Sequence, residues 1–132
     1  MLQAAALEFR ATAEHGAVFF DGPANTAKRL FVASKGYPLE VLVEAKDWVR
    51  VRDQSGALAW VEKKSLTNTR SVVITAAKAE LHASPDAKSP IVMMAEKNVT
   101  FELVEAGKMA WAKVKHRDGT IAFIRIEDVW GL

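Results

Sequence analysis

A chain of 132 residues, half of them apolar, can fill one ordinary hydrophobic core or two very small ones, which excludes a disordered tail. Its 18 basic and 16 acidic side chains leave a formal charge of only +2, which argues against a strongly polycationic surface. The chain has no cysteine for disulfides, metal thiolates or nucleophilic catalysis, and no apolar run approaches the about eighteen residues of a membrane-spanning helix.

The amino end contains a short alanine run at residues 4–6, followed by a change in composition. Such a run is typical of the small-residue end of a cleaved export signal, although the charged and apolar regions that would precede it are not in this chain. Trimming near a processing site and an ordinary alanine-rich start both fit the residues. We predict that residues 1–14 form an N-terminal extension.

Beyond this extension, apolar residues recur with a period of two, which is typical of a β-strand with one face in a core and the other in water. Residues 28–34 and 37–45 predict two strands. The alternation is clearest in the next strand, where apolar and basic residues take turns: Val49, Arg50, Val51, Arg52. Gly56 then predicts a tight hairpin turn, because glycine readily adopts a positive φ, and residues 58–61 form the returning strand.

The same arrangement returns in the second part of the chain. Adding 63 to the residue number maps residues 47–61 onto 110–124 with four identities: Trp48 and Trp111, Val51 and Val114, Gly56 and Gly119, Ala59 and Ala122. We therefore predict two homologous domains, residues 15–68 and 69–132, each with roughly five short strands. Because so small a body has little core of its own, we expect the halves to pack together.

The residues DGP, followed by KRLFVASKGYPLEVLVEAKDWVRVRDQSGALAWVEKKSL, resemble a bacterial SH3 domain (SH3b), and the second half resembles a more divergent copy. The chain is similar to small exported envelope proteins of proteobacteria that consist of two such domains. The resemblance implies an all-β fold of two tandem SH3-like barrels. It also implies a periplasmic or otherwise exported protein whose signal peptide is absent from this chain.

Eukaryotic relatives that bind proline-rich peptides do so in a groove formed by aromatic residues and a proline. By resemblance, Phe20 and Trp48 match the first two groove positions. The other two do not match: Glu62 and Arg125 stand at the proline position, and Ser65 and Asp128 at the tyrosine position. Without these ring faces, recognition of polyproline is disfavoured.

The strand alternation places a second group of residues on the outer face of the first barrel: Trp48, Arg50, Arg52, Leu58 and Trp60. The second half offers Trp111, Lys113, Lys115 and Phe123. Such faces can stack sugar rings, bases or peptide groups and hold anions. The alternative, which we favour for most of these rings, is that they pack between the halves or cover the barrel edge.

Catalytic chemistry is not supported by the sequence. His15, His82 and His116 are not spaced with a serine or carboxylate as a triad or metal site would require, and we interpret each as an exposed loop residue. No glycine-rich phosphate loop is present. We therefore expect a noncatalytic protein without a metal or cofactor.

A binding or scaffolding module of the bacterial envelope remains, with peptidoglycan or an envelope protein as its partner. The expected site lies between the first loop (20–25), the acidic loop (44–47) and the neighbouring rings, with these ligand-binding residues: Phe20, Asp21, Glu44, Asp47, Trp48, Trp60 and Trp111. The alternative is a nucleic-acid-binding protein that uses the basic and aromatic outer faces. Nucleic acid is disfavoured because a charge of +2 with dispersed acidic residues provides no concentrated cationic stripe.

Overall fold

The computed structural model describes residues 7–107 and 109–132, so the alanine run at residues 4–6 lies outside the described residues. Regular structure within these ranges consists of β-strands and two single-turn 3₁₀ helices, Lys63–Ser65 and Ile126–Asp128. The strands of the first half are β1 (Phe9–Thr12), β2 (Ala17–Phe20), β3 (Arg29–Ala33), β4 (Pro38–Ala45), β5 (Trp48–Arg52), β6 (Leu58–Glu62) and β7 (Leu66–Thr67). Those of the second half are β8 (Ser71–Ile74), β9 (Lys78–His82), β10 (Ile91–Glu96), β11 (Thr100–Glu105), β12 (Trp111–Lys115), β13 (Ile121–Arg125) and β14 (Val129–Trp130).

The strands form two seven-stranded antiparallel sheets, one in each half. The order is β3-β2-β6-β5-β4-β1-β7 in the first sheet and β10-β9-β13-β12-β11-β8-β14 in the second. Each strand of the second sheet therefore has the same neighbours as its counterpart in the first, so that β8 corresponds to β1, β9 to β2, and so on to β14 and β7. The prediction of an all-β chain built from two tandem copies of one small fold is confirmed.

Strand β1 lies within the segment that we expected to be an N-terminal extension. It pairs with β4 through Phe9 and Glu40, and with β7 through Ala11 and Thr67. The first sheet therefore begins earlier than the expected domain boundary at residue 15. In this strand Ala11 and the polar Thr12 are neighbours and both are buried, so the segment lacks the alternation of apolar and polar residues that revealed the other strands.

Each half has its own hydrophobic core on the predicted strand faces. Val49, Val51, Ala59 and Val61 are buried, whereas the alternating Arg50, Arg52 and Leu58 are exposed. At the centre of the first core Phe19 stacks on Phe31, with 4.6 Å between ring centroids. Leu81 is buried in the second core, on β9, the counterpart of β2.

The β5–β6 hairpin closes on the predicted glycine, Gly56, with a φ of +87°, and the β12–β13 hairpin on Gly119, with a φ of +94°. In the first hairpin the carboxylate of Asp53 accepts hydrogen bonds from the Tyr37 hydroxyl at 2.8 Å, from the Ser55 hydroxyl and amide, and from the Ala57 amide. Burial acts to raise the pKa of Asp53, but the bonds from Ser55, Tyr37 and Ala57 outweigh it, so this pKa is lowered.

A carboxylate whose pKa is lower in the folded than in the unfolded state stabilises the fold above its ordinary pKa, here 3.8, and this stability is lost as pH falls through the folded-state value. We expect Asp53→Asn to lower the free energy of unfolding by ~1–2 kcal/mol at pH 7, because a charged acceptor of several bonds is lost. In urea denaturation the difference from the parent should shrink as pH falls below 3.8. Asp47→Asn, at an exposed turn, is the control, and an equal loss in both variants would contradict the assignment.

The two halves meet along a seam. The Ser71 hydroxyl donates to the Gly36 carbonyl oxygen at 2.6 Å, and the Phe9 ring meets Trp130 edge to face with centroids 5.2 Å apart. The Arg70 guanidinium lies 5.2 Å from the centre of the Phe9 ring and donates to the Gly131 carbonyl oxygen at 2.6 Å. The halves therefore pack against each other, as expected.

Candidate functional site

Three of the predicted ligand residues meet on the outer surface of the first half, and we call them the first aromatic face: Phe20, Trp48 and Trp60. Strand pairing places Phe20 directly opposite Trp60. The rings of Phe20 and Trp48 meet edge to face, with centroids 5.4 Å apart and planes at 84°. Phe20 is 5% exposed, whereas Trp48 and Trp60 are half-buried, so Phe20 supports two indole rings that solvent still reaches.

Asp21, the next predicted residue, closes the first loop. Its amide donates to the Lys28 carbonyl oxygen at 2.9 Å, and its Oδ1 accepts from the Lys28 amide at 3.0 Å. This pair of bonds holds the two ends of the loop together next to Phe20. Asp21 therefore shapes the edge of the first aromatic face while its other carboxylate oxygen remains available.

The predicted acidic loop is a tight turn, since Ala45 and Trp48 pair directly across it. Glu44 lies on β4 and forms ion pairs with Arg10 and with Lys63, the latter at 3.8 Å. The Asp47 carbonyl oxygen accepts a hydrogen bond from the Lys63 amide at 2.8 Å. A ligand cation would have to compete with Arg10 and Lys63 for Glu44, whereas the exposed Asp47 side chain is free of such competition within the described part of the chain.

The second half has an equivalent group, the second aromatic face: His82, Trp111 and Phe123. His82 pairs with Phe123 across neighbouring strands, as Phe20 pairs with Trp60. The rings of His82 and Trp111 meet edge to face with centroids 5.3 Å apart. A shallow depression here is lined by Pro85, Glu105, Gly107, Met109, Trp111, Lys113 and Phe123.

The two tryptophans differ in accessibility because of the residue that faces each. Arg125 pairs with Trp111 across the strands, and its guanidinium lies 5.0 Å from the centre of the indole ring, so Trp111 is only 9% exposed. Glu62 occupies the equivalent place opposite Trp48. A guanidinium is attracted to the negative face of a ring, whereas a carboxylate is not. Trp48 therefore stays partly exposed, whereas the Arg125 guanidinium covers part of the Trp111 ring.

The rings that pack between the halves are Phe9 and Trp130, not those of the aromatic faces. Neither residue was predicted to lie at the seam, and Phe9 falls within the expected N-terminal extension. A signal for Trp130 was nevertheless present: the shift of 63 places it against Thr67, so this aromatic residue belongs to the second copy alone.

The interpretation of His82 as an exposed loop residue was wrong. His82 lies on β9 and is 3% exposed, with Nδ1 3.0 Å from the Ser89 carbonyl oxygen and Nε2 3.3 Å from a Glu80 carboxylate oxygen. A carbonyl oxygen can only accept, so Nδ1 carries a proton and donates. His82 replaces an apolar ring with a polar one at this place, and the Ser89 carbonyl oxygen accepts the hydrogen bond from its Nδ1.

Within residues 7–107 and 109–132, no group of three or more histidine or acidic side chains is arranged to hold a metal ion. The same part of the chain contains no helix long and apolar enough to cross a membrane.

The comparison with protein families gives two matches, one in each copy of the internal repeat. The sequence profile described as Bacterial SH3 domain matches residues 13–68 and again 75–131. The chain belongs to the bacterial SH3 domain family. The expectation of two tandem SH3-like domains is therefore confirmed, and the aromatic faces lie on the outer surfaces of these two SH3 domains.

No curated protein sequence matches this chain. Solved structures to which the chain shows some similarity include an NlpC/P60 family protein from Bacillus cereus ATCC 10987, with 16% identity, coverage of 93% of this chain and 56% of that one, and a TM-score of 0.44. NlpC2 from Trichomonas vaginalis has 13% identity, coverage of 97% and 49%, and a TM-score of 0.42. NlpC1 from the same organism has 14% identity, coverage of 98% and 47%, and a TM-score of 0.41. The chain thus spans about half the length of these proteins.

Proposed function

We propose that this chain is a noncatalytic binding module of the bacterial cell envelope and that its first aromatic face recognises peptidoglycan. The observation that carries the proposal is the open Trp48 ring, supported by Phe20 and left uncovered by Glu62. Membership of the bacterial SH3 family agrees with a binding role outside the cytoplasm.

The chemistry of the face suits a wall glycan with peptide branches. Partly exposed indole rings offer flat apolar surfaces on which sugar rings or peptide groups stack, and little entropy is lost because neighbouring residues already hold them. Arg50 lies directly opposite Trp60 and is exposed, so its guanidinium can donate to carboxylate or amide oxygens beside the rings. A module of this kind binds through a shallow surface and needs no reacting group.

The decisive experiment measures binding of the purified chain to isolated cell-wall sacculi by co-sedimentation. We expect Trp48→Ala to weaken this binding by about tenfold or more, because the ring that contacts the ligand is lost. Val32→Ala is the matched control, since Val32 is an exposed apolar residue on β3, outside the first aromatic face, and should leave binding unchanged.

Folding is checked for each variant by the indole NMR signals of the remaining tryptophans. Trp48→Leu keeps apolar bulk and serves as a second variant should the alanine variant unfold. A folded Trp48 variant that sediments with sacculi as strongly as the parent would contradict the proposal. Retention by single-stranded DNA but not by sacculi would favour a nucleic-acid ligand instead.

A further inference from the structure

A cleft of about 770 Å³ lies between the two halves, away from the residues of either aromatic face. Its walls are the β1–β2 turn and the β3–β4 turn of the first half, the connector at residues 67–71, and the β12–β13 turn of the second half. A volume of this size is in the range of binding sites for small molecules and short peptides. The cleft exists only because the two domains meet, since both contribute to its walls.

The charges in this cleft are unevenly distributed. Four cationic side chains line it: Lys35, Arg70, Lys115 and Arg117. Only two carboxylates, Glu14 and Glu102, accompany them. The surplus of two positive charges equals the net charge of the whole chain, +2, so the remainder of the chain is neutral on balance.

None of these four cations forms an ion pair with any carboxylate in the described ranges. By contrast, Arg10, Arg52 and Lys63 elsewhere on the first half are each paired with a glutamate. Lys115 does not pair even with Glu102, its neighbour across β11 and β12. Like charges gathered in a concave site raise the local positive potential, which attracts an anion from solution.

The first-half wall of the cleft is held firmly. The Thr12 hydroxyl donates to the Ser34 carbonyl oxygen at 2.5 Å and accepts from the Tyr37 amide at 2.9 Å. His15 Nδ1 accepts from the Lys35 amide at 3.1 Å. The bond from Ser71 to Gly36 then ties this wall to the second half. A ligand therefore meets preformed positions, which lowers the entropy lost on binding.

We propose that this cleft binds the carboxylate-bearing peptide stems of peptidoglycan, a proposal that rests on the wall-binding function given above. Lysine and arginine in excess match carboxylates, and the two glutamates match an amino group on the same ligand. The threonine and serine hydroxyls of the lining can bond peptide amides and carbonyls. A polyphosphate such as nucleic acid fits less well, since it carries no positive group for Glu14 and Glu102.

The first test uses NMR on the full chain labelled with ¹⁵N, titrated with soluble muropeptides released from sacculi by a muramidase. We expect the amide signals of Lys35, Gly36, Thr69 and Arg117 to shift, and the shifts to vanish when the carboxylates of the muropeptides are amidated. A linear peptide of the same amino acids joined by ordinary α-linkages is a second probe, and binding as tight as that of muropeptides would overturn the assignment to wall stems.

The second test reverses charge within the cleft. Lys115→Glu with Arg117→Glu should weaken muropeptide binding by about tenfold or more. Lys88→Glu with Lys97→Glu changes the net charge by the same amount at exposed places outside the cleft, and should leave the affinity within about twofold of the parent. Equal losses in both double variants would overturn the proposal in favour of unspecific charge attraction.

The two proposals fail in distinguishable ways. If sacculus binding depends on Trp48 but muropeptides shift no cleft signal, the cleft proposal is wrong and the wall-binding function stands. If the parent chain does not sediment with sacculi at all, the wall-binding function is wrong, and the cleft proposal falls with it.

Discussion

Replacing Phe19 with alanine is expected to lower the free energy of unfolding of the first half by ~3–5 kcal/mol, the usual range for removing a fully buried phenylalanine. Phe19 is 0% exposed and stacks on Phe31, and its ring edge also meets Tyr37 with centroids 6.3 Å apart. A small domain has few other apolar contacts to compensate for the cavity. A loss of this size is a large fraction of the ~5–15 kcal/mol that stabilises a typical domain.

Urea denaturation measures this loss, with NMR signals of buried residues assigning each transition to one half: Leu39 and Val49 for the first, Val114 and Ile124 for the second. The matched variant is Phe19→Leu, which introduces the residue type that the second core holds in Leu81. Because leucine fills much of the same volume, the free energy of unfolding of this variant should fall by less than ~2 kcal/mol. An alanine variant no less stable than the leucine variant would show that Phe19 does not support the core.

The second large effect is expected at the seam, where Gly131→Ala should destabilise the chain by ~2 kcal/mol or more. Gly131 has a φ of +118°, and an added Cβ would lie 2.8 Å from the Ser71 carbonyl oxygen and 3.3 Å from the Pro38 Cβ. Ser71 is on β8, whose backbone is held by pairing with β11. Pro38 belongs to the first half, so the added methyl group also crowds the seam between the two halves.

Gly16→Ala is the control for Gly131→Ala, because Gly16 also has a positive φ, +83°, but an added Cβ there would meet nothing within 4 Å. Its free energy of unfolding should fall only by the backbone strain that the new side chain introduces, about 1 kcal/mol. Urea denaturation of both variants isolates the effect of the contact at the seam. The expectation is contradicted if Gly131→Ala is no less stable than Gly16→Ala.

Crowding at the seam in Gly131→Ala is also expected to change the shape of the cleft, which residues of both halves line. The connector and the β3–β4 turn both line it, and the hydrogen bond from Ser71 to Gly36 joins them. We therefore expect the amide signals of Lys35 and Gly36 to change in this variant, whereas the indole signals of Trp48 and Trp60 stay in place.

Much of the fold follows from local patterns. The alternation of Val49 and Val51 with two arginines defines a strand and its buried face without reference to any other part of the chain. Glycine at 56 and again at 119 marks the two hairpins, because few other residues adopt a positive φ easily. The similarity at a shift of 63 residues then indicates that the same domain occurs twice in the chain.

The candidate site could be predicted only in part. Phe20, Trp48 and Trp60 come together as expected, since they lie on neighbouring strands of the outer surface. The burial of Trp111 beneath Arg125 was not predicted, because it depends on the register between β12 and β13. His82 was misinterpreted for a similar reason: a histidine on a short strand shows no local sign of the carbonyl oxygen that accepts its hydrogen bond.

The sequence by itself determined the all-β class, the hairpins and the inward face of each central strand, since these arise from residues within a few positions of one another. It also determined the duplication, because the same local pattern returns 63 residues later. Only the tertiary structure decided how the halves meet through Phe9 and Trp130, which tryptophan stays open, and that a cationic cleft forms between the domains. Such contacts join residues far apart in the chain, and their geometry depends on the register and packing of complete sheets rather than on any local pattern.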